Sequence, residues 1–138
     1  MDLDRLTHPV NDASARRTGE ALPSLVLLVE DDLDTLEALT EAIEGHGVRV
    51  VQAVDGNEAL SALRDGIRPG VVFLDSWMPK LDGRSVLHAL KADPVLAAIP
   101  VVWMSAEGGP PPSGTERLEK PIDIAHLVSI LKSLGLSV

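Results

Sequence analysis

The sequence predicts an α/β protein: a parallel sheet with helices on both faces. Three observations carry this. Short apolar runs, "LVLLV" (25–29), "VVFL" (71–74) and "IPVVWM" (99–104), read as strands buried on both sides. Segments of helical period lie between them. The two kinds alternate along the chain, which calls for right-handed crossovers onto one sheet. The 138 residues suffice for one domain with a real core, and with aromatics at 2% that core must be Val, Leu, Ile and Ala.

Each element has its own justification. "LVLLV" opens the sheet from Leu25. In "DTLEALTEAIEGHG", Leu36, Leu39, Ile43 and nearby Ala42 share a helical face, and Gly45 and Gly47 offer a stop. "VRVVQAV" (48–54) is β-branched and partly alternating, hence a strand. "NEALSALRDG" is a short helix using Ala59, Leu60 and Leu63. "VVFL" is a buried strand, "RSVLHALKAD" a helix ending before Pro94, and "IPVVWM" another buried strand with Trp103 in the core. A weak strand fits Arg117–Glu119. Pro121 then opens a last helix whose apolar face is Ile124, Leu127, Val128 and Leu131.

Composition excludes several functions. The net charge of −9 argues against a primary role on nucleic acid or an anionic membrane, and the basic residues cluster only at Arg16-Arg17. The absence of cysteine removes disulfides, thiolate nucleophiles and cysteine zinc sites. No apolar run approaches the ~18–20 residues that span a bilayer. Residues 1–23 are polar and without period, so they read as a flexible leader rather than a signal peptide. A soluble, cytoplasmic protein is expected.

The chemistry gathers at strand ends, where open parallel sheets form their sites. Asp75 closes one buried strand, and Glu30, Asp31 and Asp32 close the first. Carboxylates crowded on one rim repel each other, and burial worsens the repulsion. A hard divalent cation such as Mg²⁺ offsets it. Acids also cap helices, so Asp31 and Asp75 are read as metal ligands and Asp32 and Asp34 as caps or solvated groups. Ser105 and Lys120 stand just past two further strands. Hydroxyl, ammonium, carboxylates and metal together suit a phosphoryl group. The histidines His8, His46, His88 and His126 lack metal-ligand spacing and read as surface residues.

Four segments, "LLVEDD", "FLDSWMPKLDG", "VWMSAEG" and "LEKPID", in this order, resemble the receiver domain of two-component response regulators over roughly residues 24–137. The resemblance implies a flavodoxin-like fold with five parallel strands in order 2-1-3-4-5, within a receiver domain of residues 24–138. It implies that Asp75 is the phosphoacceptor, that Asp31 binds Mg²⁺ directly and Glu30 through water, and that Trp77 adds its backbone carbonyl. Ser105 is then the switch hydroxyl and Lys120 the phosphate-binding lysine. Met78-Pro79 and Asp82-Gly83 match the acceptor loop, with Gly83 allowing a tight backbone. The implied function is a stand-alone phosphoacceptor, fed by a histidine kinase or histidine phosphotransfer protein and signalling by protein contact. The implied chemistry is self-phosphorylation from a phosphodonor and autodephosphorylation, with no other enzymatic activity and no direct contact with nucleic acid or membrane.

Two departures stand out. Receivers carry a helix between the Ser/Thr strand and the Lys strand, but here "AEGGPPPSGTERLE" fills that gap. Its three consecutive prolines and three glycines forbid a regular helix. An extended chain of ten residues still reaches about 30 Å, so the sheet closes without it. The uncovered face is expected to offer apolar surface to a partner or a second copy, unless the Pro-rich loop lies over it. Arg117 replaces the switching aromatic found three residues before the lysine, which leaves the usual hydroxyl-to-aromatic coupling without its second member. The alternatives are a non-phosphorylated scaffold or phosphate sink, a Mg²⁺-dependent aspartyl phosphatase and a flavin protein. Trp77, where such a phosphatase needs its second acid, argues against the phosphatase, and the acidic first loop argues against the flavin protein.

Overall fold

The computed structural model describes residues 24–78 and 81–136. The leader assigned to residues 1–23, with Arg16-Arg17 and His8, and the Pro79 of the acceptor loop lie outside them. The strands are β1 (Leu25–Val29), β2 (Arg49–Ala53), β3 (Val71–Asp75), β4 (Val101–Ser105) and β5 (Thr115–Glu119). They form one parallel sheet in the order β2-β1-β3-β4-β5, as the resemblance implied. The helices are α1 (Leu33–Glu44), α2 (Gly56–Arg64), α3 (Gly83–Ala92) and α4 (Ile124–Ser133).

Two apolar layers sandwich the sheet. Leu36, Leu39 and Ile43 of α1 and Leu127, Ile130 and Leu131 of α4 pack on Val26, Leu28, Phe73 and Met104. Ala59, Leu60 and Leu63 of α2 and Val86, Leu87 and Leu90 of α3 pack on Leu27, Val29, Leu74 and Trp103. Every residue of β1, β3 and β4 is buried, which is why these strands read as continuous apolar runs. β2 alternates only in part because it lies at the edge. Among the described residues no helix is long and apolar enough to cross a membrane.

The elements differ from expectation mainly at their ends. Pro121 does not open α4. The helix starts at Ile124 because the Asp123 carboxylate accepts the Ala125 N–H at 2.9 Å and so caps it. Ile124 is exposed rather than part of the apolar face, where Ile130 stands instead. A 3₁₀ turn at Leu96–Ala98, unanticipated, links α3 to β4. Asp32, Asp55 and Asp82 each cap a helix through their side chains. His88 and His126 are exposed; His46 is half-buried, with Nδ1 2.9 Å from the Ala42 carbonyl.

No helix forms between β4 and β5, and residues 106–114 are a loop. The sheet face there is covered in part by polar groups. Trp103 is buried beneath Arg84, whose guanidinium carbon lies 5.5 Å from the ring centre. β5 buries Leu118 on the α1/α4 face, while Thr115, Arg117 and Glu119 alternate to the other, so the open edge is polar.

Candidate functional site

Parallel strands all point their carboxyl ends one way, so residues distant in sequence meet on one rim. Asp75 ends β3, Glu30 and Asp31 follow β1, Ser105 ends β4 and Lys120 follows β5. Glu30 and Asp75 are 1% and 3% exposed, and Ser105 is buried too. One carboxylate oxygen each from Glu30, Asp31 and Asp75 lie within 4.8 Å of one another.

Lys120 holds this cluster together. Its Nζ lies 3.0 Å from Glu30 Oε1 and 3.2 Å from Asp75 Oδ1. Glu30 Oε1 has no aligned hydrogen bond, so that contact is chiefly electrostatic. The other Glu30 oxygen accepts the Asp32 N–H at 3.2 Å, and Asp75 Oδ1 accepts the Trp77 N–H at 3.3 Å. Burial pushes the Asp75 carboxyl up to about 7; the Glu30 carboxylate adds to this, and Lys120 and the Trp77 N–H offset part of it. Burial alone would lower the Lys120 ammonium, but Glu30 and Asp75 outweigh it and raise it. Asp32 is different. It is solvated, bonded to the Thr35 hydroxyl and N–H, and its carboxyl is held below the usual range by those bonds. Asp31 and Asp75 thus stand in the cluster, and Asp32 caps α1.

The cluster can accept a cation. The cluster holds three carboxylates, two of them against one ammonium, which leaves two negative charges in excess when all are ionised. Hard oxygen donors with that imbalance suit a divalent ion of the Mg²⁺ kind.

Gly83 shapes the site from behind. A β-carbon there would stand 2.5 Å from the Asp75 carbonyl oxygen and 3.1 Å from Ser76 Cα. The start of α3 can approach the end of β3 only without a side chain, which is the tight backbone expected of this position. Trp77 is 70% exposed beside Asp75 and touches it through its backbone N–H.

Ser105 is near but not engaged with the acids. Its hydroxyl oxygen accepts the Glu107 N–H at 3.0 Å and its O–H points to the Glu107 carbonyl at 3.4 Å. Three features escaped the sequence: the Glu30–Lys120 pair, the placing of Arg84 on Trp103, and a hydrogen bond from Arg117 Nη2 to the Glu107 carbonyl at 3.0 Å. Each joins residues from separate elements, and no local pattern announces them.

A doubly wound α/β fold with an acid–lysine cluster at its carboxyl edge defines the class. Residues 26–132 match the response regulator receiver domain, and the chain belongs to that family. It is 38% identical over 124 residues to the transcriptional regulatory protein PrrA of Mycobacterium tuberculosis, covering 85% of this chain and 52% of PrrA. The chain thus spans about half the length of that relative. The receiver domain of the Francisella response regulator 1452 superposes with a TM-score of 0.71 at 30% identity, over 80% of this chain and 94% of that one. Vibrio cholerae chemotaxis protein CheY4 shares the fold, with a TM-score of 0.74 at 24% identity over 81% of this chain and 98% of that one. Receiver domains are signalling modules rather than enzymes.

Proposed function

We propose that Asp75 accepts a phosphoryl group from the phosphohistidine of a histidine kinase or phosphotransfer protein, in a Mg²⁺-dependent reaction, and that the modified domain signals by protein contact. The observation that carries this reading is Lys120 standing between two buried carboxylates at the ends of three strands. An ammonium there both holds Asp75 and stands ready to neutralise a phosphoryl oxygen.

In this reading an Asp75 oxygen attacks phosphorus, a P–O bond forms as the P–N bond breaks, and the electron pair returns to the imidazole. The chain supplies position and charge rather than covalent machinery. β3 fixes Asp75, Lys120 neutralises one phosphoryl oxygen, and the Ser105 hydroxyl donates to another. Asp31 and Asp75, with the Trp77 carbonyl and Glu30 through water, would hold Mg²⁺. That ion supplies neutralisation between carboxylate and phosphate. In this reading the domain's chemistry is limited to taking the group from a donor and losing it to water.

The net charge of −9 supports protein partners over direct contact with nucleic acid, and the lack of cysteine suits the cytoplasm. The test is adduct formation with beryllofluoride and Mg²⁺, followed by fluorine NMR. A bound signal is expected for the natural chain and none for Asp75→Asn or with chelator. No signal from the natural chain would favour a scaffold that takes no phosphate. Phosphotransfer profiling against purified histidine kinases then identifies the donor.

A further inference from the structure

We propose that Arg117 is a positioning residue that latches the 106–114 loop over Ser105, and that drawing Ser105 toward a phosphoryl group opens the latch. The proposal rests on the phosphoacceptor reading of Asp75.

The latch runs through one residue. Glu107 gives its N–H to Ser105 Oγ at 3.0 Å, and its carbonyl accepts both the Ser105 O–H at 3.4 Å and Arg117 Nη2 at 3.0 Å. Glu107 therefore ties the end of β4 to the middle of β5. A helix in this place would satisfy its own backbone groups. This loop, with three prolines and Gly109 at φ +95°, cannot do so, and its first half is held through Glu107. Its far end is pinned separately, by Thr115 on the Pro112 carbonyl.

Ser105 has one hydroxyl hydrogen. It serves either the Glu107 carbonyl or a phosphoryl oxygen, not both. Turning toward the phosphoryl group also takes away the acceptor of the Glu107 N–H. Arg117 is then the remaining tie, so its strength sets how much the loop resists.

The tie is weak as built. Arg117 Nε is buried with no hydrogen-bond partner, which costs the latched state. The Arg117–Glu119 pair, at 3.4 Å, is open to solvent on the Glu119 side and adds little. Under the loop lies a cavity of about 390 Å³, bordered by Trp77, Trp103, Ser105, Pro110 and Arg117. The released loop has space to move there.

The test combines fluorine NMR, which reads the beryllofluoride adduct, with hydrogen–deuterium exchange across residues 106–114 of the full chain. In the natural protein the adduct should speed exchange at Glu107 and its neighbours. Arg117→Ala should exchange fast without adduct and reach half-saturation at about three- to ten-fold lower beryllofluoride, the worth of one net hydrogen bond. Arg117→Lys, which keeps a charged donor, should restore part of the protection. Ser105→Ala should loosen the Glu107 amide with Arg117 intact, a check that does not depend on the Arg117 variants folding. An adduct with no faster loop exchange would overturn the proposal. So would an Arg117→Ala protein that exchanges and saturates like the natural one, or a Ser105→Ala protein whose Glu107 amide stays protected. Absence of any fluorine signal in the natural protein would refute the phosphoacceptor reading first, and the latch with it.

Discussion

Lys120, just beyond β5, reaches past the end of β4 to place its Nζ 3.2 Å from Oδ1 of Asp75 at the end of β3. One ammonium thus spans three strands and meets Glu30, just past a fourth, at 3.0 Å. It is the cation that makes the buried acids tolerable.

Lys120→Met should therefore destabilise the fold. Removing one partner of a buried pair leaves the other charge stranded; because Lys120 is partly exposed, the expected loss is about 1–3 kcal/mol rather than the larger figure for a sealed pair. Urea denaturation at pH 7 with chelator present measures it. Unchanged stability would mean that the Lys120 ammonium does not offset charge in the buried cluster.

Asp75→Asn should stabilise the protein in a pH-dependent way. The Asp75 carboxyl sits at about 7 in the fold against 3.8 ordinarily. Between those values the folded state holds a proton that the unfolded chain has lost, so this group's contribution to stability falls as pH rises. The variant lacks that slope. Its melting temperature in chelator should match the natural protein's more closely at pH 4–5 and exceed it by several degrees at pH 8. A constant offset across pH would contradict the elevated carboxyl. Added Mg²⁺ should close the gap at pH 8 by stabilising the natural protein more.

Gly83→Ala should disturb Asp75 from behind. The new β-carbon would meet the Asp75 carbonyl oxygen at 2.5 Å, a backbone atom that cannot turn aside. A loss of about 1–3 kcal/mol is expected from the overpacking, together with weaker beryllofluoride uptake. Melting curves and fluorine NMR read the two effects separately.

Trp77→Asn should change phosphate lifetime more than stability. The indole is 70% exposed, so its removal should leave stability within about 0.5 kcal/mol. Standing beside Asp75, it is expected to hinder water, and the variant should lose phosphate several-fold faster. An unchanged dephosphorylation rate would remove Trp77 from this role.

The elements, and which charged residues end the strands, were largely legible in the chain. Runs such as Leu25–Val29 and Val71–Asp75 announce strands buried on both faces, because each residue's burial shows directly in its type. Asp75 and Lys120 could be singled out because an acid or a lysine closing a strand is a local event. The Pro/Gly run after Ser105 ruled out a helix by backbone sterics alone, and residues 106–114 form none. The start of α4 was missed because a proline and an aspartate compete to begin a helix, and a single hydrogen bond from Ala125 to Asp123 decides it.

Distance and partnership needed the fold. Residues 30, 75 and 120 meet only because the sheet orders its strands β2-β1-β3-β4-β5, an arrangement set by long-range packing of two apolar layers rather than by neighbours in sequence. The polar open edge of β5 and the tie from Arg117 to Glu107 arise the same way. By itself the sequence determined which residues carry charge, hydroxyl and backbone freedom at the strand ends. Tertiary structure decided which of them touch, because contact across a parallel sheet depends on strand order and register, and these belong to the whole chain at once.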